Sequence, residues 1–229
     1  MYKIFIDPGH GGQEPGAVNS TIQEKTLNLE VSLWLKKLLQ QCGFELMMSR
    51  EADIEVSLSK RCDMANLWGA NLFISIHHNA GGGDGFEVIH SIAGGKGKEL
   101  AELVGHQFEL TGQNKRNIYS KESEQYKGKD YFAVIRDTNM PSVITEYAFM
   151  DTNDFGEIDE AREYDVEATA IAVAVCKFYN VLPRFLEKEH WAEKHYQSLL
   201  AKSIVINEKR FDDKISRGEI FALLDRIIK

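Results

Sequence analysis

Lys3 to Ile6 is a short apolar run that stops at Asp7-Pro8-Gly9-His10-Gly11-Gly12, a turn-rich stretch in which no helix can continue. It predicts a buried strand with polar groups displayed at its end. From Glu24 to Gln41, Leu27, Val31, Trp34, Leu35 and Leu38 recur at helical spacing, and Gly43 supplies a stop. A short strand near Glu45 to Ser49, a helix near Leu58 to Trp68 and an apolar strand from Leu72 to His77 follow, the last running into Asn79-Ala80-Gly81-Gly82-Gly83. A strand at Phe86 to His90 precedes a helix from about Lys98 to Leu110, with Leu100, Leu103, Val104 and Phe108 on one face. Residues 112 to 130 are polar and resist assignment. Ser142 to Tyr147 reads as a strand, and Ala161 to Tyr179 as an alanine- and valine-rich helix packed on a sheet. Alternation of this kind predicts an α/β fold: a mixed, largely parallel sheet with helices on both faces, plus a small all-helical C-terminal segment.

The pattern changes after Val181-Leu182-Pro183. Of 27 basic and 35 acidic residues, 10 and 8 lie in residues 184 to 229, a net +2 there against −10 before it. That stretch has two helical patterns and no strand, and Ile220, Leu223, Leu224, Ile227 and Ile228 form an apolar stripe that must bury against something. A boundary near Pro183 is expected, with one domain over 1–183 and a small helical one over 184–229. The net charge of −8 disfavours nucleic acid as a partner. The apolar run at the start is too short for a signal-peptide core, and no run approaches a membrane span. The expectation is synthesis as a soluble cytoplasmic protein with no membrane partner. Cys42, Cys62 and Cys176 are far apart and odd in number, so they read as small buried thiols rather than a disulfide or metal framework.

Two glycine-rich loops invite phosphate readings and fail them. Gly94-Gly95-Lys96-Gly97-Lys98-Glu99 has Glu where a Walker loop needs a hydroxyl, and Gly9-His10-Gly11-Gly12 lacks the dinucleotide spacing. No His-Glu-x-x-His or Gly-x-Ser-x-Gly motif occurs. His10 follows the first strand and His77 ends a later one, and the carboxyl ends of strands are where open α/β sheets collect ligands. Two imidazoles at one edge suggest a metal, and catalytic zinc takes three protein ligands and keeps a position for water. Glu24, on the apolar side of its helix, is a candidate third ligand; equally, Thr21-Ile22-Gln23-Glu24 fits a capping box. His77 and His78 face opposite sides of a strand, so only one can reach a site, and His77 shares its side with Phe73 and Ser75. Glu146 is a carboxylate within a strand-like run, which a sheet edge would also explain.

Ile6-Asp7-Pro8-Gly9-His10-Gly11-Gly12, Glu24-Lys25, Ser49-Arg50 before Leu58-Ser59-Lys60-Arg61, Ala65-Asn66, Ser75-Ile76-His77-His78-Asn79-Ala80, Gly85-Phe86-Glu87-Val88 and Met140-Pro141-Ser142-Val143-Ile144-Thr145-Glu146 occur in this order. Over residues 3 to about 179 the chain thus resembles the zinc-dependent N-acetylmuramoyl-L-alanine amidases. The resemblance implies one Zn2+ held by His10, Glu24 and His77, with Glu146 as the catalytic glutamate. It implies peptidoglycan as substrate, cut between N-acetylmuramic acid and L-alanine. Two departures stand out: Tyr147-Ala148-Phe149 replaces a smaller sequence, which suggests a bulkier cleft floor, and His78 stands where many relatives have Ala, as a substrate contact or a surface strand-end residue. Residues 184–229 resemble a single S-layer-homology repeat, which implies binding to a secondary wall polymer, docking or self-association. Without a signal peptide, release in the manner of a phage endolysin or a mother-cell lysis enzyme is expected. The rival readings are a non-catalytic wall-binding protein on the same fold and a zinc deacetylase or peptidase acting on the same polymer.

Overall fold

Alternation along β1 (Lys3–Pro8) sorts its side chains between two cores, Ile4 and Ile6 into one buried cluster and Phe5 into another. The computed structural model, which describes residues 1–19, 22–151 and 164–186, builds a six-stranded sheet on this strand. The others are β2 (Glu45–Met48), β3 (Leu72–Asn79), β4 (Phe86–His90), β5 (Lys115–Tyr119) and β6 (Ser142–Phe149), in the order β2-β1-β3-β6-β4-β5. Four of the five pairings are parallel, and β4 runs antiparallel to β6.

On the Ile4 side lie α1 (Glu24–Gln41), α3 (Gly95–Leu110) and α5 (Tyr164–Phe178). Leu27, Val31, Leu35 and Leu39 form the buried stripe of α1; Leu100, Ala101, Val104 and Phe108 form that of α3. On the Phe5 side, α2 (Leu58–Trp68) and the four-residue α4 (Ala133–Arg136) bury Cys62, Ala65, Val134 and Ile135 against Phe5, Phe73, Ile89 and Ile144. The mixed, largely parallel sheet with helices on both faces is therefore the fold the chain adopts. The Ser57 hydroxyl accepts from Lys60 N at the start of α2, and Gly69 ends it at φ +70°.

The differences from the hydrophobic pattern are local. β3 and β6 each run two residues further than their apolar stretches. β5 has no alternation to betray it, because Lys115, Arg116 and Asn117 are exposed on an edge strand. Trp34, expected on the buried face of α1, is 38% exposed, with Lys37 Nζ 4.5 Å from its ring centre. Cys42, Cys62 and Cys176 are free and buried. Among the described residues no helix is long and apolar enough to cross a membrane. The chain divides into two units between Phe185 and Leu186. Apart from a 3₁₀ turn at Arg184–Leu186, the helical patterns and the S-layer-like segment expected over 184–229 lie outside the described residues.

Candidate metal centre

The strand order turns at β1: the chain passes through α1 to β2 on one side and returns through α2 to β3 on the other. Outside the carboxyl ends of strands at such a reversal, open α/β sheets bind their ligands. His10 follows β1, and His77 lies near the end of the adjacent β3.

Glu24, the first residue of α1, reaches both imidazoles: its Oε2 is 3.1 Å from His10 Nε2 and its Oε1 is 2.9 Å from His77 Nδ1. One ligand atom from each of the three lies within 4.8 Å of the others. The two imidazoles are 22% exposed and the Glu24 side chain 5%, so the cluster is anchored in the protein and open on one side. Two imidazoles and a carboxylate with an open flank form a donor set that suits a catalytic divalent metal of the zinc type. Glu24 is further fixed by Ala17 N donating to Oε2 at 2.8 Å, and by Asn28 Nδ2 and His78 N donating to Oε1 at 3.1 and 3.2 Å. Burial alone would raise its pKa, but the two imidazoles hold the carboxyl far below the ordinary range. Burial pulls His10 down, and the bonds and charges of Glu24 and Glu14 more than reverse this, leaving it raised above 6.5. Glycine keeps the space clear: a Cβ on Gly9 would sit 2.2 Å from His77 Cε1, and one on Gly16, at φ +69°, 2.4 Å from Glu24 Oε2.

His10 itself adopts φ +59°, a region that disfavours side chains and needs support from its surroundings. Two guanidiniums provide it. Arg61 donates from Nη1 to Asp7 Oδ1 and Pro8 O, both at 2.7 Å, from Nη2 to His10 O at 2.8 Å and from Nε to Val56 O at 2.8 Å. Arg50 donates from Nη2 to Gly9 O at 2.8 Å and Lys25 O at 2.7 Å, and from Nε to Pro8 O at 3.0 Å. Asp7, 1% exposed, also accepts from the hydroxyls of Ser49 at 2.5 Å and Ser75 at 2.8 Å. Sequence reasoning assigned none of these residues a role. The available signal was Asp7 itself, a carboxylate closing an apolar strand and so in need of a buried partner.

Glu146 lies in β6, between β3 and β4, so the sheet-edge explanation of this carboxylate is excluded. It is in register with His77 on one side and Glu87 on the other, which puts all three on one face of the sheet. Glu87 is already engaged, accepting from Asn79 Nδ2 at 3.0 Å and Arg116 Nε at 3.1 Å. Glu146 Oε2, by contrast, is buried with no hydrogen-bond partner among the described residues. Burial pushes its carboxyl well above the ordinary range, and the charges of Glu24, Glu87 and Glu167 push the same way. A cleft of about 200 Å³ opens beside the His10 loop, with Asp7, His10, Glu14, Arg61 and His77 as polar lining and Val56, Leu58, Phe132, Val134 and Ile144 among its apolar walls.

Three expectations are corrected here. The helix starts at Glu24 with Gln23 at its N-cap, so Glu24 is not at the third helical position that a capping box needs; Thr21 lies outside the described residues. His78 is neither on the surface nor in the cleft: it is 4% exposed and turned to the opposite face, where it meets Asn28 and Glu167. Nor do Tyr147 and Ala148 form a bulkier cleft floor, since both are buried in the core on the Ile4 side. Tyr147 packs against Phe108 with ring centres 4.8 Å apart, and its hydroxyl meets Thr111 Oγ1 at 2.8 Å.

Comparison with known proteins bears on this geometry. The chain is 41% identical over 155 residues to the sporulation-specific N-acetylmuramoyl-L-alanine amidase of Bacillus subtilis (strain 168), covering 66% of this chain and 58% of that protein. It is 36% identical over 185 residues to the N-acetylmuramoyl-L-alanine amidase CwlM of Bacillus licheniformis, covering 79% and 70%. The solved catalytic domain of CwlV, an N-acetylmuramoyl-L-alanine amidase from Bacillus (Paenibacillus) polymyxa var. colistinus, superposes with a TM-score of 0.68 at 27% identity, covering 80% of this chain and 100% of that one. The chain thus spans little more than half of the first of these relatives. A family model described as N-acetylmuramoyl-L-alanine amidase matches residues 4–177, and the chain belongs to that family.

Proposed function

We propose that the chain is a zinc-dependent peptidoglycan amidase that hydrolyses the amide between the lactyl group of N-acetylmuramic acid and the L-alanine of the stem peptide. The observation that carries this reading is the convergence of His10, Glu24 and His77 at the sheet's reversal point, with Glu146 in register with His77. His10, Glu24 and His77 would hold the ion. When bound, zinc supplies Lewis-acid polarisation of the scissile carbonyl and lowers the pKa of water from about 15.7 toward 7.

Glu146 takes a proton from the attacking water as its oxygen bonds to the carbonyl carbon. The carbon–nitrogen bond then breaks, and the same carboxyl returns the proton to the departing amine of L-alanine. A carboxyl raised by burial suits this exchange, because it holds a proton more readily than an exposed glutamate does. Arg50 and Arg61 keep His10 in place while the substrate occupies the cleft. Family membership together with His10, Glu24, His77 and Glu146 all in place favours this over a non-catalytic wall-binding role. We propose residues 1–183 as the catalytic domain and 184–229 as a segment for wall binding, docking or dimerisation.

Mass spectrometry of purified wall after digestion tests the reading. New L-alanine amino termini with intact glycan and intact acetyl groups are expected. Deacetylated glycan or cleavage within the stem peptide would instead assign a deacetylase or a peptidase.

A further inference from the structure

Between α1 and α5 lies a line of buried polar groups that the hydrolytic reading leaves unused. His78 is adjacent in sequence to His77 but faces the other side of β3. Its Nδ1 is 2.9 Å from Asn28 Oδ1 and its Nε2 is 3.0 Å from Glu167 Oε2. Asn28, Glu167 and His78 are 0%, 2% and 4% exposed.

Donor counting fixes the polarity of this line. Asn28 Nδ2 faces two acceptors, Glu24 Oε1 at 3.1 Å and Gly9 O at 3.3 Å. Its Oδ1 therefore faces His78, and His78 Nδ1 must be the donor. Glu167 meets the other ring nitrogen and fixes the ring plane. The connection runs from α5 through β3 to α1, ending on the carboxylate that sits between His10 and His77 and on the carbonyl that precedes His10.

Such a line is a poor way to stabilise an apolar layer. Glu167 Oε1 has no hydrogen-bond partner among the described residues, and buried polar groups left short of partners are destabilising relative to well-packed apolar ones. What the line does achieve is orientation: Asn28 can present its amide to Glu24 in one sense only. We propose that His78 and Glu167 are positioning residues that act through Asn28 to aim Glu24 at the metal, and so set the affinity of the site. The proposal rests on the reading of His10, Glu24 and His77 as ligands.

The test is the dissociation constant for zinc of the full chain, measured by competition with a chelating dye, for wild type, His10→Ala, His78→Ala, Glu167→Leu and Glu167→Gln. Loss of a direct outer partner of a metal ligand typically weakens binding about 10- to 100-fold; His78→Ala and Glu167→Leu act through Asn28 and should fall at the lower end, about 10-fold. Glu167→Gln keeps a hydrogen-bonding group opposite Nε2 and should stay within about threefold of wild type. Circular dichroism and melting of the metal-free chains report folding separately, because a merely structural role would lower the melting temperature and leave zinc affinity in the folded chain unmoved. If His78→Ala does not fold, the Glu167 pair decides alone. A folded Glu167→Leu chain that binds zinc as wild type does overturns the proposal. Wild-type affinity in His10→Ala would overturn the ligand reading itself, an outcome the same series keeps distinct.

Discussion

Replacing Arg61 by alanine should be one of the most damaging single changes in the chain. Its guanidinium, 4% exposed, donates four hydrogen bonds, to Asp7, Pro8, His10 and Val56. Removing it leaves the Asp7 carboxylate, 1% exposed, with the hydroxyls of Ser49 and Ser75 as hydrogen-bond donors, releases His10 O, and leaves Pro8 O to Arg50 Nε. Breaking a buried ion pair by deleting one partner costs about 3–5 kcal/mol, because the other charge stays buried and uncompensated. For a domain of this size that corresponds to a melting temperature lower by roughly 6–20 °C. Against a total stability of about 5–15 kcal/mol, that removes between about a fifth and all of it. Urea unfolding of wild type, Arg61→Ala, Arg61→Lys and the double variant Asp7→Asn with Arg61→Ala measures this. Lysine restores a charge but not the planar fork, so Arg61→Lys should keep most of the loss. The double variant should be more stable than Arg61→Ala alone, because the stranded carboxylate is gone. A loss below about 1 kcal/mol for Arg61→Ala, the range of exposed pairs, would refute the argument that this pair is desolvated and holds the loop.

Other outcomes follow from the same geometry. Glu146→Gln should retain bound zinc by metal analysis and lose turnover by about 10²-fold or more on purified wall. Chelation should abolish activity while circular dichroism stays native, because the cores close without the metal ligands. Gly16→Ala should weaken zinc binding measured by competition, since the added Cβ meets Glu24 Oε2 and Gly16 holds φ +69°. Burial pushes the thiols of Cys62 to about 11 and Cys176 to about 12, so at pH 8 neither should react with a thiol reagent in the native chain. The unfolded chain ionises its thiols first, so their contribution is intact below pH 9 and declines as pH rises toward 11–12, readable as a falling urea midpoint.

Where one face of an element must be apolar, the pattern showed it. Leu27, Val31 and Leu35 announced α1, and the runs at Lys3, Leu72 and Ser142 announced three of the four interior strands, which are covered on both faces. Strand parity separated His77 from His78, and the structure turns them to opposite faces. What the pattern could not show was β5, an edge strand whose pairing comes from its backbone, or α4, too short for a period. The Arg50 and Arg61 contacts were hidden for another reason. Apart from the Asp7 carboxylate, their partners are main-chain carbonyls of residues 8 to 10, 25, 52 and 56, and a carbonyl has no signature in a sequence. His78 was read as exposed because histidine in a polar strand end usually is; only the arrival of Glu167 on α5 closes the space over it.

The two faces of the sheet divide the labour, and this explains how neighbouring residues serve different ends. The Ile4 face carries three helices and is closed, so any polar group on it, such as Asn28, His78 or Glu167, must find its partner inside the protein. Among the described residues the Phe5 face carries α2 and the single turn of α4, which do not cover the carboxyl ends of β1, β3 and β6. That shortfall leaves the cleft. Glu24 joins the two regimes. It starts a helix on the closed face, where Asn28 and the amides of Ala17 and His78 hold it, yet its carboxylate emerges between His10 and His77 at the open end. A ligand held from the closed side keeps its direction when substrate or solvent changes on the open side. On the proposed reading the same arrangement would make metal affinity sensitive to α5, a helix that contributes no proposed ligand.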